Sequence, residues 1–128
     1  MKPHANLTEH QCDILWQRLM VKLWKGRCGI CSSTRGLAGH HLVKRRHMQF
    51  RHDPQNGILL CQRCHRDAEE HQVVFLSALK IKRPEVYRWQ KEANRISMKP
   101  CQPVLESDLR IRLEKLKSMV ALGCGTSS

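Results

Sequence analysis

Apolar residues recur near the start of the chain at Cys12, Leu15, Trp16, Leu19 and Leu23, the spacing of one helix face. Thr8, with Gln11 three residues on, predicts a capping box that starts this helix, and Gly26 predicts its stop. Residues 1–7 read as a loose arm. Between 27 and 67 the helical period breaks. Gly29, Gly36, Gly39 and Gly57, with "DPQNG" at 53–57, mark turns, and the short apolar pieces Leu37-Ala38, Leu42-Val43 and Ile58 to Leu60 predict small strands. From Gln62 the stretch "QRCHRDAEEHQ" is polar and helix-friendly, and residues 73–81 either continue that helix or form a new one. Pro84 fits a first helical position, with Val86, Trp89, Ala93 and Ile96 following at helical spacing. "SMKPCQP" at 97–103 reads as a linker. Ser107 is a candidate cap for a last helix whose stripe is Leu109, Leu113, Leu116 and Val120, and "GCGTSS" reads as a frayed tail. That stripe either packs on the rest of the chain or pairs two chains. Trp16, Trp24 and Trp89 fall on or beside apolar faces and read as core.

Composition narrows this picture. At 128 residues with 41% apolar positions, the chain is one compact domain with a thin core, the kind that a metal or disulfide often staples. Lys and Arg number 23 against 11 Asp and Glu, a formal charge of +12 that attracts polyanions such as nucleic acid or an anionic membrane surface. The longest apolar runs, such as Val73 to Leu76, are too short to span a bilayer. The opening "MKPHANLTEHQCDILWQ" carries charge where a signal peptide needs an apolar core, so an intracellular protein is expected.

Of the seven cysteines, four fall into two CxxC pairs, Cys28/Cys31 and Cys61/Cys64, while Cys12, Cys101 and Cys124 read as free thiols. Each pair can form a tight knuckle around one ion, and two pairs complete the tetrahedral four-sulfur shell of a structural zinc. A redox motif is the usual rival for one CxxC, but two matched pairs in a small basic chain favour zinc. The pairs enclose residues 32–60 and so join the two ends of one substructure. A structural zinc does not specify a function. The residues around the knuckles do more: His40 and His41 nine and ten positions after Cys31, Asn56 five before Cys61, and His65 directly after Cys64.

Here the chain resembles the HNH endonucleases, over about residues 27–71. The letters that carry the resemblance are His41, Asn56 and His65 inside the frame of Cys28, Cys31, Cys61 and Cys64. "HHLVKRR" is similar to the family's paired-histidine strand, and "NGILLCQRCH" to its strand-to-helix entry. "FRHDPQNGILLCQRCH" also resembles phage-encoded HNH proteins, including NinG/Rap-type recombination nucleases. The resemblance implies an α+β fold: a small zinc-stapled ββα-metal core with flanking α-helices. With the helical periods on either side of it, the chain divides into an N-terminal helical segment (1–26), the core (27–71), a helical extension (72–98) and a C-terminal amphipathic helix (104–122). The resemblance also implies a catalytic divalent ion, Mg, Mn or similar, beside the structural zinc. His41 becomes the general base, His40 a metal ligand where many members have Asp, His65 the second ligand, and Asn56 the residue that fastens the loop and orients His41. An alignment on Ala38-Gly39-His40 makes His40 the base instead, while the continuation "HLVKR" favours His41. For a third ligand, His71 lies six residues after His65 and misses the i,i+4 alignment of one helix face, and Asp67 and Glu69 are weaker candidates.

The chemistry agrees with the likeness. Phosphodiester hydrolysis needs an activated water and a metal to neutralise charge, and a neutral imidazole can take the water's proton at physiological pH. Adjacent positions of a strand face opposite ways, so two neighbouring histidines with two roles require a local bend. The basic positions Arg35, Lys44, Arg45, Arg46 and Arg51 are candidate phosphate contacts, with His47 and His52 as phosphate neighbours or surface residues. The expected function is metal-dependent DNA cleavage on duplex or branched substrate, in the cytoplasm of a bacterium or phage-infected cell, with a possible homodimer through the helical flanks. The alternatives are a non-catalytic zinc module that binds nucleic acid, or a subunit docked by its helices in a larger complex.

Overall fold

The computed structural model of the chain describes residues 6–125, with side chains through 122. It is an α+β structure in the order α1 (Leu7–Leu23), β1 (Ala38–His40), β2 (Ile58–Leu60), α2 (Gln62–Glu70), α3 (Gln72–Lys82), α4 (Pro84–Ser97) and α5 (Glu106–Gly125). Two antiparallel strands form the sheet, with Ala38 opposite Leu60, Gly39 opposite Leu59 and His40 opposite Ile58.

Side-chain alternation in β2 divides the interior. Ile58 and Leu60 face a cluster with Cys28, Cys61, Cys64, Phe75 and Leu79, which carries the cysteine knuckles, α2 and α3. Leu59 faces the other way, into a cluster with Cys12, Trp16, Leu19, Met20 and Leu116. The leucine stripe of α5 is therefore covered by α1 of the same chain. The two helices run parallel: Glu106 at the start of α5 accepts from Asn6 Nδ2 (2.9 Å) and Thr8 Oγ1 (2.7 Å), and Lys22 near the end of α1 donates to the Val120 carbonyl.

Several boundaries differ from expectation. Thr8 is not the cap of α1: Asn6 is, accepting from Glu9 N at 3.0 Å, while the Thr8 hydroxyl is engaged by Glu106. Asn6 and Leu7 thus belong to the helix start, and residues 1–5 of the expected loose arm lie outside the described residues. α1 ends before Gly26, whose positive φ (67°), with that of Lys25 (56°), forms the left-handed stop. Leu42-Val43 forms no strand, because the Asn56 amide takes both the N–H and the carbonyl of Val43. His71, with φ −133° and ψ 61°, breaks the helix between α2 and α3. Arg83 does the same before Pro84, where the proline ring excludes helical geometry for the preceding residue. Ser107 lies inside α5, and it is Asp108 that reaches back to accept from Leu105 N (2.9 Å). α5 runs on through Gly125, and residues 126–128 of the tail lie outside the described residues.

Candidate active site

The four cysteines converge. The Sγ atoms of Cys28, Cys31, Cys61 and Cys64 all lie within 4.8 Å of one another. Cys31 and Cys61 are 3.6 Å apart, close to the edge of about 3.8 Å expected for a tetrahedron with zinc–sulfur bonds of about 2.3 Å. Each knuckle presents backbone N–H groups to its first sulfur: Ile30 and Cys31 donate to Cys28 Sγ, and Cys64 donates to Cys61 Sγ, each at 3.5 Å. Burial raises the Cys28 thiol, but these amide donors override it and bring it to about 7, while burial and the neighbouring cysteines push Cys64 up. Four crowded thiols of this kind ionise together only with a cation among them, so the donor set fits zinc. Cys61 is also the N-cap of α2, so the metal end launches that helix directly.

α2 then carries His65 and Glu69, four residues apart and on one helix face. His40, the last residue of β1, meets them. Its ring lies edge-on to His65 with centroids 5.1 Å apart, and its Nδ1 is 3.7 Å from Glu69 Oε2. His40, His65 and Glu69 each offer a ligand atom within 4.8 Å of the others. Burial, then the neighbouring His65, His41 and Lys44, hold His40 down at about 4, so at neutral pH it presents a lone pair. Two imidazoles and a carboxylate suit a divalent ion of the first transition row or magnesium. Of the residues weighed for a third ligand, Glu69 joins this cluster. His71 does not: it sits at the turn between α2 and α3. The readable signal for Glu69 was its i,i+4 spacing from His65.

His41 turns the other way. The strand ends at His40, and the His41 ring stacks on Trp16 of α1, centroids 3.9 Å apart and planes 7° from parallel. Its Nε2 donates to the Arg51 carbonyl at 2.9 Å, which leaves Nδ1 as the ring's lone pair. Burial lowers its pKa, partly offset by that carbonyl. The bend after His40 brings both histidines into the wall of one cavity of about 450 Å³, with Gln17, Lys44, Arg45 and Glu69.

Asn56 is fully buried and holds the loop that joins the strands. Its Oδ1 accepts from Val43 N (2.6 Å), and its Nδ2 donates to the carbonyls of Val43 (3.0 Å) and Phe50 (2.9 Å). The basic residues divide. Arg35, Lys44, Arg45 and Arg46 are exposed, and Arg45 also approaches Asp13 at 3.4 Å. Arg51 faces inward instead, its Nε and Nη2 donating to the two oxygens of Asp13 at 2.9 and 2.7 Å. His52 is 3% exposed rather than on the surface, and its Nε2 donates to Asp13 Oδ1 at 2.8 Å.

Residues 28–71 match the family model for HNH endonuclease. The chain carries an HNH domain. No curated protein and no solved structure matches the chain. The HNH segment holds His40, His41, Asn56, His65, Glu69 and all four knuckle cysteines. Asp13, Trp16 and Gln17, on α1, lie outside it, and sequence reading singled out only Trp16, as core. Among the described residues no helix is long and apolar enough to cross a membrane.

Proposed function

We propose that the chain is a metal-dependent DNA endonuclease. The observation that carries this reading is the convergence of His40, His65 and Glu69 on one cavity beside His41, whose Nε2 is tied to a backbone carbonyl. A carbonyl can only accept, so the His41 proton sits on Nε2 and Nδ1 is the base. Nδ1 takes a proton from water as the water oxygen bonds to phosphorus and the bond from phosphorus to the 3′ oxygen breaks. The products are a 5′-phosphate and a 3′-hydroxyl, the latter protonated from solvent. A divalent ion held by His40, His65 and Glu69 would supply charge neutralisation at the phosphate. Lys44 and Arg45, in the cavity wall, dock the phosphodiester, and Arg46 and Arg35 extend the basic surface for the flanking backbone. Trp16 keeps the His41 ring from rotating, and Asn56 fixes the loop whose Arg51 carbonyl receives the His41 proton. The cysteine cluster holds zinc with a structural role.

The test is cleavage of supercoiled plasmid and of branched DNA by the zinc-loaded chain, with magnesium, manganese or chelator. Metal-dependent cutting by the wild type, absent in His41→Ala, is the expected result. Tight salt-sensitive binding without cutting under any metal would overturn the catalytic reading in favour of a binding module. Preference for the branched substrate would support a recombination role of the phage-encoded kind.

A further inference from the structure

The residues that hold His41 from outside the HNH segment form a connected set. Asp13, Trp16, Gln17 and Met20 lie on one face of α1, at successive i, i+3, i+4 and i+7 positions. That face lies against the hairpin at His41, Gly39 and Gly57. Asp13 stands at its loop end. One carboxylate there accepts four hydrogen bonds of 3.4 Å or less: Nε and Nη2 of Arg51, Nε2 of His52 and Nη2 of Arg45. His52 is oriented in turn by Arg112 of α5, which donates to its Nδ1 at 3.0 Å.

Arg51 is the residue that joins this set to the site. Its guanidinium is gripped at two points by Asp13, and its backbone carbonyl receives the His41 Nε2 proton. The loop from residue 41 to 57 contains no strand and no helix, only turns and bends. Asn56 secures it at Val43 and Phe50, but no bond of Asn56 reaches residue 51. The direction of the Arg51 carbonyl is therefore set by what holds Arg51 and His52, and Asp13 holds both, whereas Glu9 (3.5 Å) and Met48 Sδ (3.6 Å) meet only the Arg51 Nη1 and Arg112 meets only His52. A bidentate arginine–carboxylate pair suits this task, because its planar fork fixes angle as well as distance.

We infer that Asp13 is a positioning residue for His41, acting through Arg51 from a helix that lies outside the HNH segment. The kinetic form of this inference rests on the nuclease reading above, but its structural form does not. Without the Asp13 grip Arg51 keeps only the longer contacts of its Nη1 with Glu9 and Met48, its carbonyl is held less firmly, the His41 proton is no longer confined to Nε2, and the lone pair at Nδ1 is lost for part of the time. Asp13 touches neither substrate nor reacting atoms. Its loss lowers the rate of the chemical step and leaves affinity for DNA in place.

The experiment uses the full zinc-loaded chain as wild type, Asp13→Asn, His41→Ala and the double variant. Single-turnover cleavage of a labelled duplex is measured with magnesium or manganese, binding of the same duplex without added divalent ion, and the imidazole nitrogens by long-range nitrogen–proton NMR. Asp13→Asn is expected to slow cleavage about 10- to 100-fold with Kd unchanged within about twofold. It is expected to cause no further loss in the His41→Ala background, since both changes act through one ring. The His41 spectrum is expected to pass from the Nε2–H tautomer to a mixture. Should Asp13→Asn fail to fold, Arg51→Lys keeps the charge but gives up the fork, and the same pattern is expected at smaller amplitude. Equal losses with and without His41, a parallel loss of DNA binding, or an unchanged Nε2–H tautomer would each overturn the inference. If the wild type cuts nothing under any metal, it is the nuclease reading that fails, and the His41 spectrum alone then decides whether Asp13 positions the ring.

Discussion

The four-cysteine end and the loop from His41 to Asn56 flank the same two strands, yet different forces hold them. At the first, two short knuckles far apart in sequence are drawn to a common point where four sulfurs lie within 4.8 Å. Their geometry is local, because each CxxC folds its own turn with amide-to-sulfur bonds, and a zinc ion would complete the join. The loop contains no regular structure and no metal ligand. It is fastened by an amide at Asn56, a carboxylate at Asp13 and an indole at Trp16, two of them from a helix that precedes the HNH segment. On the proposed reading, the cysteine end makes the fold and the loop makes the chemistry. A stiff staple would then stand where nothing needs adjusting, while the His41 ring is aimed by a hydrogen bond and a stacked indole that fix its angle.

The sharpest way to test this division is to break each side separately. Cys61→Ser removes one of the four sulfurs while leaving a hydroxyl that can still cap α2. It should cost several kcal/mol, comparable with the whole stability of a domain this size, and appear as lost zinc and a lost cooperative melting transition. His41→Ala should do the opposite, lowering cleavage by about 10²- to 10⁴-fold while melting and zinc content stay near wild type. If His41→Ala unfolded the chain, or Cys61→Ser left it folded, the division would be wrong.

Asn56→Ala should fall between them. It strips the buried Val43 N–H and carbonyl of their partner and leaves the Phe50 carbonyl with the Asp53 N–H alone, at about 2–4 kcal/mol, and should reduce both the melting temperature and the cleavage rate. Gly57→Ala probes the seat of α1: an added methyl would stand 2.4 Å from Met20 Sδ and 2.5 Å from Trp16 Cζ2. About 1–3 kcal/mol of overpacking is expected there, read by thermal melting, with slower cleavage because Trp16 carries the His41 ring. The smallest effect is one of pH. Burial raises the Asp13 carboxyl, but His52 and Arg51 override it and hold it well below the usual carboxylate range. A carboxyl lowered in the folded state stabilises above its unfolded value of about 3.9 and ceases to do so as pH falls below it. The stability difference between wild type and Asp13→Asn should therefore be constant from neutral pH to about 4 and shrink below that, as measured by denaturant unfolding across pH.

The same contrast explains what could be read from the sequence. The convergence of the four cysteines was legible because CxxC spacing encodes a local turn. His40, His41 and His65 were legible because they sit at fixed offsets from those turns, and the helices α1, α4 and α5 because their apolar periods are long. Glu69 was within reach, since i,i+4 from His65 is a property of any helix, but an acid on a polar helix has many bland explanations. Asp13 and Gln17 were not legible. Their partners lie more than twenty residues away, and nothing in the spacing of a lone acid or amide predicts which distant backbone it will meet. Arg51 read as a phosphate contact and His52 as a phosphate neighbour or surface residue for the same reason: the acid that draws them inward lies on another element. The missing strand at Leu42-Val43 belongs to this class too, because a side-chain amide replaced the neighbouring strand its apolar pattern suggested.

The Gln17 side chain has a consequence of its own. Its amide donates to the Gly39 carbonyl at 3.1 Å and accepts from the Gly39 N–H at 2.8 Å, the pair of bonds a further strand would make. On the opposite side the Leu59 carbonyl is taken by Gly29 N at 2.7 Å. A sheet of two short strands with apolar faces would otherwise be a template for another chain's backbone. With α1 in place that edge is closed, and a fragment beginning near Cys28 would expose it. Such a fragment should self-associate through backbone pairing at Gly39 even with its zinc bound, and a peptide strand matching β2 should compete for the same edge.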